Sequence, residues 1–249
     1  MRLARIALAT VVLGGACHAQ ISDGGESHLD GTDAGATGNP SGDAMAPPVA
    51  QCTSRTVYLN FEGQTLTQGP SDAVLNQASW MTIAQGTAPP YLAGNTNRAA
   101  AIQNIVAGVT AQLSQFPITV VTARPRTGNY VMIVFGGQAS QVGSRFGGAV
   151  NQLDCGDTRP NDVAWISDSV SPTQRVVNFA VGAIGFGLGL TGTLDPNDCM
   201  CGWDNQCTSN NTAACNLTSP INRDPSANQT CAGLTTQDEP AAFRQAFCQ

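Results

Sequence analysis

The sequence predicts an α/β domain with two main helices and a cysteine-rich, mostly irregular C-terminal region. Three observations carry that reading. Short runs of β-formers recur at 56–61 (TVYLNF), 118–122, 130–135 (YVMIVF) and 162–166 (DVAWI). Two longer apolar stretches, near 97–116 and 171–190, have the length and spacing of helices. From Asp195 onward periodicity gives way to Cys, Asn, Thr and Pro.

The first strand ends at Glu62-Gly63, with Glu62 expected in solvent, and the next stretch through Pro89-Pro90 is loop-like. In the first helix Ile102, Ile105, Val106, Val109, Leu113 and Phe116 form one stripe, which Pro117 terminates. Two strands follow, joined by the turn-like RPRTGN at 124–129. The second helix opens on a capping-box pattern: Ser171 at the N-cap, Pro172 at N1 and Gln174 reaching back from N3. It continues through VVNFAVGAIGFGLGL. That run is long enough to span a bilayer, yet no basic cluster flanks it, so it reads as the central helix of a packed core. Interior glycines cost about 1 kcal/mol each against alanine, so Gly182, Gly185 and Gly187 imply close packing.

Ahead of the domain, Arg2 and Arg5 precede an apolar run from Ile6 to Ala16, so residues 1–19 read as an export signal. Cys17-His18-Ala19 before Gln20 suits ordinary signal peptidase, while LGGAC at 13–17 resembles a loose lipobox that would make Cys17 a lipidation site. Residues 20–50 are Gly, Asp, Ser, Ala and Pro, too poor in bulky side chains to offset their ordering entropy, and read as a tether. Residues 51–249 then form one domain. The expected destination is the outer membrane or cell surface as a lipoprotein, or the medium. The membrane is a partner only through a lipid anchor.

Setting Cys17 aside, the 9 cysteines leave Cys52, Cys155, Cys199, Cys201, Cys207, Cys215, Cys231 and Cys248. An even set in an exported domain predicts disulfides of open connectivity rather than a zinc ribbon. Net charge is -6, and the 11 basic residues are all unclustered arginines, which excludes a nucleic-acid surface. Both histidines, His18 and His28, precede the domain, so a Ser-His-Asp triad cannot form within it.

The frame GAIGFGLGLTG at 182–192 and LDPNDCM at 194–200 resembles the zinc-dependent metzincin-like endopeptidases, in particular exported bacterial ones of the matrixin type. Their motif is H-E-x-x-H-x-x-G-x-x-H followed by a Met-turn. The order of VYLNFEGQTL, the first helix, ITVVTARP, YVMIVFGG and DVAWISDS extends the resemblance over most of 55–202. It implies a twisted mixed sheet, with Gly189 ending the active-site helix and Met200 as the Met-turn methionine. Carried over by position, the three zinc histidines become Gly182, Phe186 and Gly192, and the catalytic Glu becomes Ala183. None offers a metal donor or a titratable base.

The resulting expectation is a non-catalytic, peptidase-like domain without cofactor, whose former cleft binds a peptide or protein or serves as scaffold. Two alternatives stand beside it: an active zinc endopeptidase with unconventional ligands, and an unrelated disulfide-rich binding domain. The anchor is directly testable. The mature protein should partition into detergent and carry a lipid mass increment, and Cys17→Ser should abolish both; a mature N-terminus at Gln20, found by N-terminal sequencing, would exclude lipidation.

Overall fold

The computed structural model describes residues 54–245, so Cys17, Cys52, Cys248 and the signal and tether regions lie outside them. In chain order the elements are β1 (Arg55–Asn60), β2 (Gln64–Gln68), β3 (Gln77–Ala78), β4 (Gln85–Ala88), α1 (Arg98–Leu113), β5 (Ile118–Val121) and β6 (Tyr130–Phe135). There follow α2 (Ala139–Val142), β7 (Ala149–Val150), β8 (Val163–Ile166), α3 (Thr173–Gly187), β9 (Ile221–Asn222), β10 (Thr236–Gln237) and α4 (Glu239–Gln245). The fold is α/β.

A five-stranded mixed sheet has the order β5-β1-β6-β8-β7. Its first four strands are parallel, with Thr56 opposite Tyr130 and Met132 opposite Val163; β7 is antiparallel to β8 and forms one edge. Every residue of β6 is buried, as a central strand covered on both faces requires. On one face Val57, Leu59, Val131, Ile133 and Ile166 meet Ile105, Val109 and Leu113 of α1 and the apolar body of α3. Phe61 and Phe135 stack there at 4.5 Å between ring centroids. The two helices approach closely at Gly108, where a Cβ would stand 2.8 Å from Val177 Cγ2.

The other face is covered by the segment that reads as loop in sequence. Strands β3, β2 and β4 form a small sheet that lays Leu66, Ala78 and Ala88 over Tyr58, Met132, Val134 and Trp165. In QTLTQ only Leu66 is fully buried, and Thr65 and Thr87 pair their hydroxyls across the exposed side. The pattern is too polar to signal a strand without its partner. Glu62 is exposed, as its sequence context suggests, and it pairs with Arg98 at 2.8 Å. Arg98 also donates to the Phe61 and Tyr91 carbonyls, fixing the start of α1.

The capping box on the second helix is not formed. Pro172 is the N-cap, with extended backbone, so Ser171 lies one residue outside the helix. Gln174 instead donates to Asn178 Oδ1 at 2.9 Å, and Asn178 fastens α3 to the carbonyls of Asn210 and Ala213. The far end closes as a Schellman motif: Leu190 N donates to Gly185 O, Gly189 N donates to Phe186 O, and Gly189 takes a left-handed φ of +82°. No helix among the described residues is long and apolar enough to cross a membrane.

The C-terminal region is more ordered than its composition suggests. Cys155–Cys231, Cys199–Cys215 and Cys201–Cys207 are disulfides, the mark of a chain exported to an oxidising compartment. β9 and β10 pair antiparallel, and α4 buries Phe243 against Phe116. Cys155–Cys231 closes the longest of the three loops, with a sequence separation of 76, so it should restrict the unfolded chain most. Replacing both cysteines by alanine should cost about 4 kcal/mol in urea unfolding. A loss below that of the Cys201–Cys207 pair, separated by 6, would contradict the loop-length argument.

Candidate functional site

The site positions read from sequence converge on one side chain that the sequence did not single out, Trp203. Gly182 faces it so closely that a Cβ there would overlap Trp203 Nε1 and stand 2.6 Å from the Cys199 carbonyl. Phe186, 1% exposed, lies tilted against the indole at 5.4 Å between centroids, and Phe179 meets it edge-on at 6.2 Å. At Gly192 a Cβ would stand 2.5 Å from the Trp203 carbonyl and 2.6 Å from Asn205 Nδ2. Ala183 is fully buried. Met200, also fully buried, lies under Gly185, whose Cβ would come within 2.8 Å of its sulfur.

Gly182, Ala183, Phe186 and Gly192 do not fit a zinc ion, because their side chains supply no donor and Trp203 occupies the space among them. The glycines have a packing role. Each removes a methyl group that would block Met200, Trp203 or the backbone beside them.

Trp203 is held there by the loop that precedes it. Cys199–Cys215 and Cys201–Cys207 brace the chain on either side of Met200. Asp198 Oδ1 accepts from Met200 N at 2.8 Å and from Thr193 Oγ1 at 3.0 Å, and Trp203 N donates to Met200 O. Of the two carboxylates in LDPNDCM, Asp195 is exposed, but Asp198 is 1% exposed. Its neighbours explain the difference: it closes the loop from inside. Trp203 itself stands alone in CGWDN, outside any periodic pattern, and so gave no sequence signal.

Beside the filled centre a cavity of about 240 Å³ remains open. Its walls are the chain entering and forming β7, from Phe146 to Asn151, and Arg175, Phe179 and Phe186 of α3, with Trp203 and Asp204 opposite. The Arg175 guanidinium lies 5.1 Å from the centroid of the Phe179 ring. β7 is bonded to β8 through Ala149–Ile166 and Val150–Trp165 and is the terminal strand of its sheet. Asn151 donates to the Ala183 carbonyl at 2.8 Å and ties the strand's end to α3.

No family model matches the chain, and no curated protein matches its sequence.

Two buried carboxyl groups support the loop. Burial pushes Glu239 up to about 8, reinforced by the neighbouring Asp198, and burial raises Asp198 as well. Glu239 accepts from Thr218 N and from Gln237 Nε2, while Gln237 clasps the backbone of Thr191 through both its donor and its acceptor. Separately, burial lifts Asp162 to about 7 against the opposing pull of Arg159, 3.4 Å away, and its Oδ2 would overlap a Cβ on Gly187.

For an acid whose folded pKa lies above its unfolded value, the folded state holds the extra proton. The stabilisation is complete below the unfolded pKa and is lost as pH rises through the folded one. Glu239 and Asp162 share this sign, so stability should fall as pH rises from about 3.8 to about 7 on account of Asp162 and from about 4.5 to about 8 on account of Glu239. Urea melts across that range should show the fall, and Glu239→Gln should reduce its slope. Constant wild-type stability from pH 5 to pH 8.5 would contradict the buried-acid account.

Proposed function

We propose that this chain is a non-catalytic, metallopeptidase-like domain, tethered at or exported beyond the cell surface, whose cleft binds an extended peptide or protein segment. The observation that carries the proposal is Trp203 lying among Gly182, Phe186 and Gly192 while the cavity beside β7 stays open. The sheet with both long helices on one face, the turn at Gly189 and Met200 beneath α3 support the resemblance to the metzincin-like group. Hydrolysis through a metal-bound water requires donors and a base, and Gly182, Ala183, Phe186 and Gly192 provide neither.

Binding has the parts it needs. An edge strand offers backbone hydrogen-bonding groups to an added strand, and alternate side chains of that strand can enter a neighbouring pocket. The rim carries Phe146, 45% exposed, as an apolar contact. Gly147 has open space where a side chain would project, so Gly147→Trp should plug the cavity without disturbing the core.

The domain should leave casein intact with or without added zinc, and a chelator should not move its melting temperature. Gly182→His, Phe186→His and Gly192→His together should still bind no zinc, because Trp203 fills the centre and backbone carbonyls stand where the new Cβ atoms at 182 and 192 would lie. A library of octapeptides capped at both ends should be retained by the natural domain and not by Gly147→Trp. One zinc per chain by elemental analysis, chelator-sensitive cleavage, or equal retention by the plugged variant would overturn the proposal.

A further inference from the structure

The cavity beside β7 is apolar on most of its wall, with Phe146, Phe179, Phe186 and Trp203, but it is not neutral. Its lining holds one cationic side chain, Arg175, and one anionic one, Asp204. They are differently presented. Asp204 Oδ1 accepts from Asn228 Nδ2 at 3.2 Å, and Asp204 Oδ2 is buried without a partner, so it is out of a ligand's reach. Arg175 makes no ion pair among the described residues, and its Nε is buried without an acceptor.

Arg55, Arg98 and Arg159 each pair with a carboxylate, and Arg124 donates to Tyr130 Oη, Asn76 Oδ1 and two carbonyls. Arg223 also has buried nitrogens without an acceptor, but it does not line this cavity. Arg175 is nevertheless positioned, because the Phe179 ring one turn along α3 carries its guanidinium. A half-buried, positioned guanidinium without a counter-ion leaves a donor unsatisfied, and a planar carboxylate is the group that matches its fork.

We infer that the β7 cavity is a side-chain pocket for an acidic residue, Glu or Asp, of the bound extended segment, with Arg175 as its charge partner and the aromatic wall as the contact for its methylenes. This rests on the cleft-binding function proposed above and names its ligand chemistry. The volume of about 240 Å³ suits one side chain rather than a folded element. A strand laid along β7 would pass its alternate side chains toward the cavity mouth. The occupant is an internal acidic side chain, chosen by its charge match to Arg175.

The test uses the same octapeptides, acetylated and amidated so that no terminal carboxylate is present, with retained peptides sequenced by mass spectrometry. At one position Glu or Asp should be enriched about tenfold over Gln or Asn at low salt, falling as salt rises. Arg175→Gln should abolish the enrichment while other peptides are still retained, and Arg175→Glu should shift the preference to Lys or Arg. Unchanged melting temperatures of both variants would show that the fold is intact. Retention without preference for an acid, or selection of basic residues by the natural domain, would overturn this inference and leave cleft binding standing. Retention only of peptides with free C-termini would overturn it in favour of a terminal-carboxylate site. Absence of retention altogether would overturn cleft binding and this inference together.

Discussion

The contact on which this domain depends is that between the glycine-bearing face of α3 and the disulfide-braced loop that carries Met200 and Trp203. Two interior glycines, Gly182 and Gly185, cost α3 about 2 kcal/mol relative to alanine, and Gly187 ends the helix. Burying one indole, about 200 Å² at about 25 cal/mol per Å², offsets that by about 5 kcal/mol. Met200 and Phe186 add their own burial. The balance favours close approach over helix propensity, which explains a helix that would be a poor one in isolation. It also explains why α3 is buried on nearly every side from Val176 to Gly187.

The same contact explains the elaborate C-terminal region. A loop carrying Met200 and Trp203 into the core must satisfy its own backbone there, and water is excluded. Asp198 does so from inside the turn, and Glu239 stands beside Asp198 while satisfying Thr218. Gln237 satisfies Thr191 just beyond the Gly189 turn. Two disulfides then limit how far the loop can open. The acidic pair carries a cost, since burial disfavours both charges and an ionised Asp198 disfavours ionisation of Glu239.

The sequence made the main sheet and both long helices legible because each carries its own periodicity. TVYLNF and YVMIVF differ from their observed strands by a residue at most, and the α1 stripe maps onto Ile105, Val109 and Leu113. The small sheet was illegible because QTLTQ and QGTA become strands through partners, with only Leu66, Gly86 and Ala88 buried. The capping box failed because the helix begins a residue later, with Pro172 as N-cap, and Gln174 bridges to Asn178. At the site, the glycines announced close packing but not the packing partner. A tryptophan's destination depends on the disulfides and turns that aim it, and the pairing of eight cysteines is not written in their spacing.

One regularity in α3 was readable and joins the filled centre to the open cavity. Arg175, Phe179, Gly182 and Phe186 follow one another at intervals of four, three and four residues, which places them along a single helical face. The C-terminal half of that stripe accepts Trp203; the N-terminal half lines the cavity with an aromatic ring and a positioned guanidinium. Filling the centre therefore rigidifies the wall of the neighbouring pocket, because Trp203 is packed by Phe179 and Phe186 on one side and borders the cavity on the other. A side chain packed on its inner side makes a fixed pocket wall, and a fixed wall lowers the ordering entropy that a ligand must overcome. On the proposed reading, two of the three positions without metal donors, Gly182 and Phe186, share one helix face with the residues that shape the binding pocket.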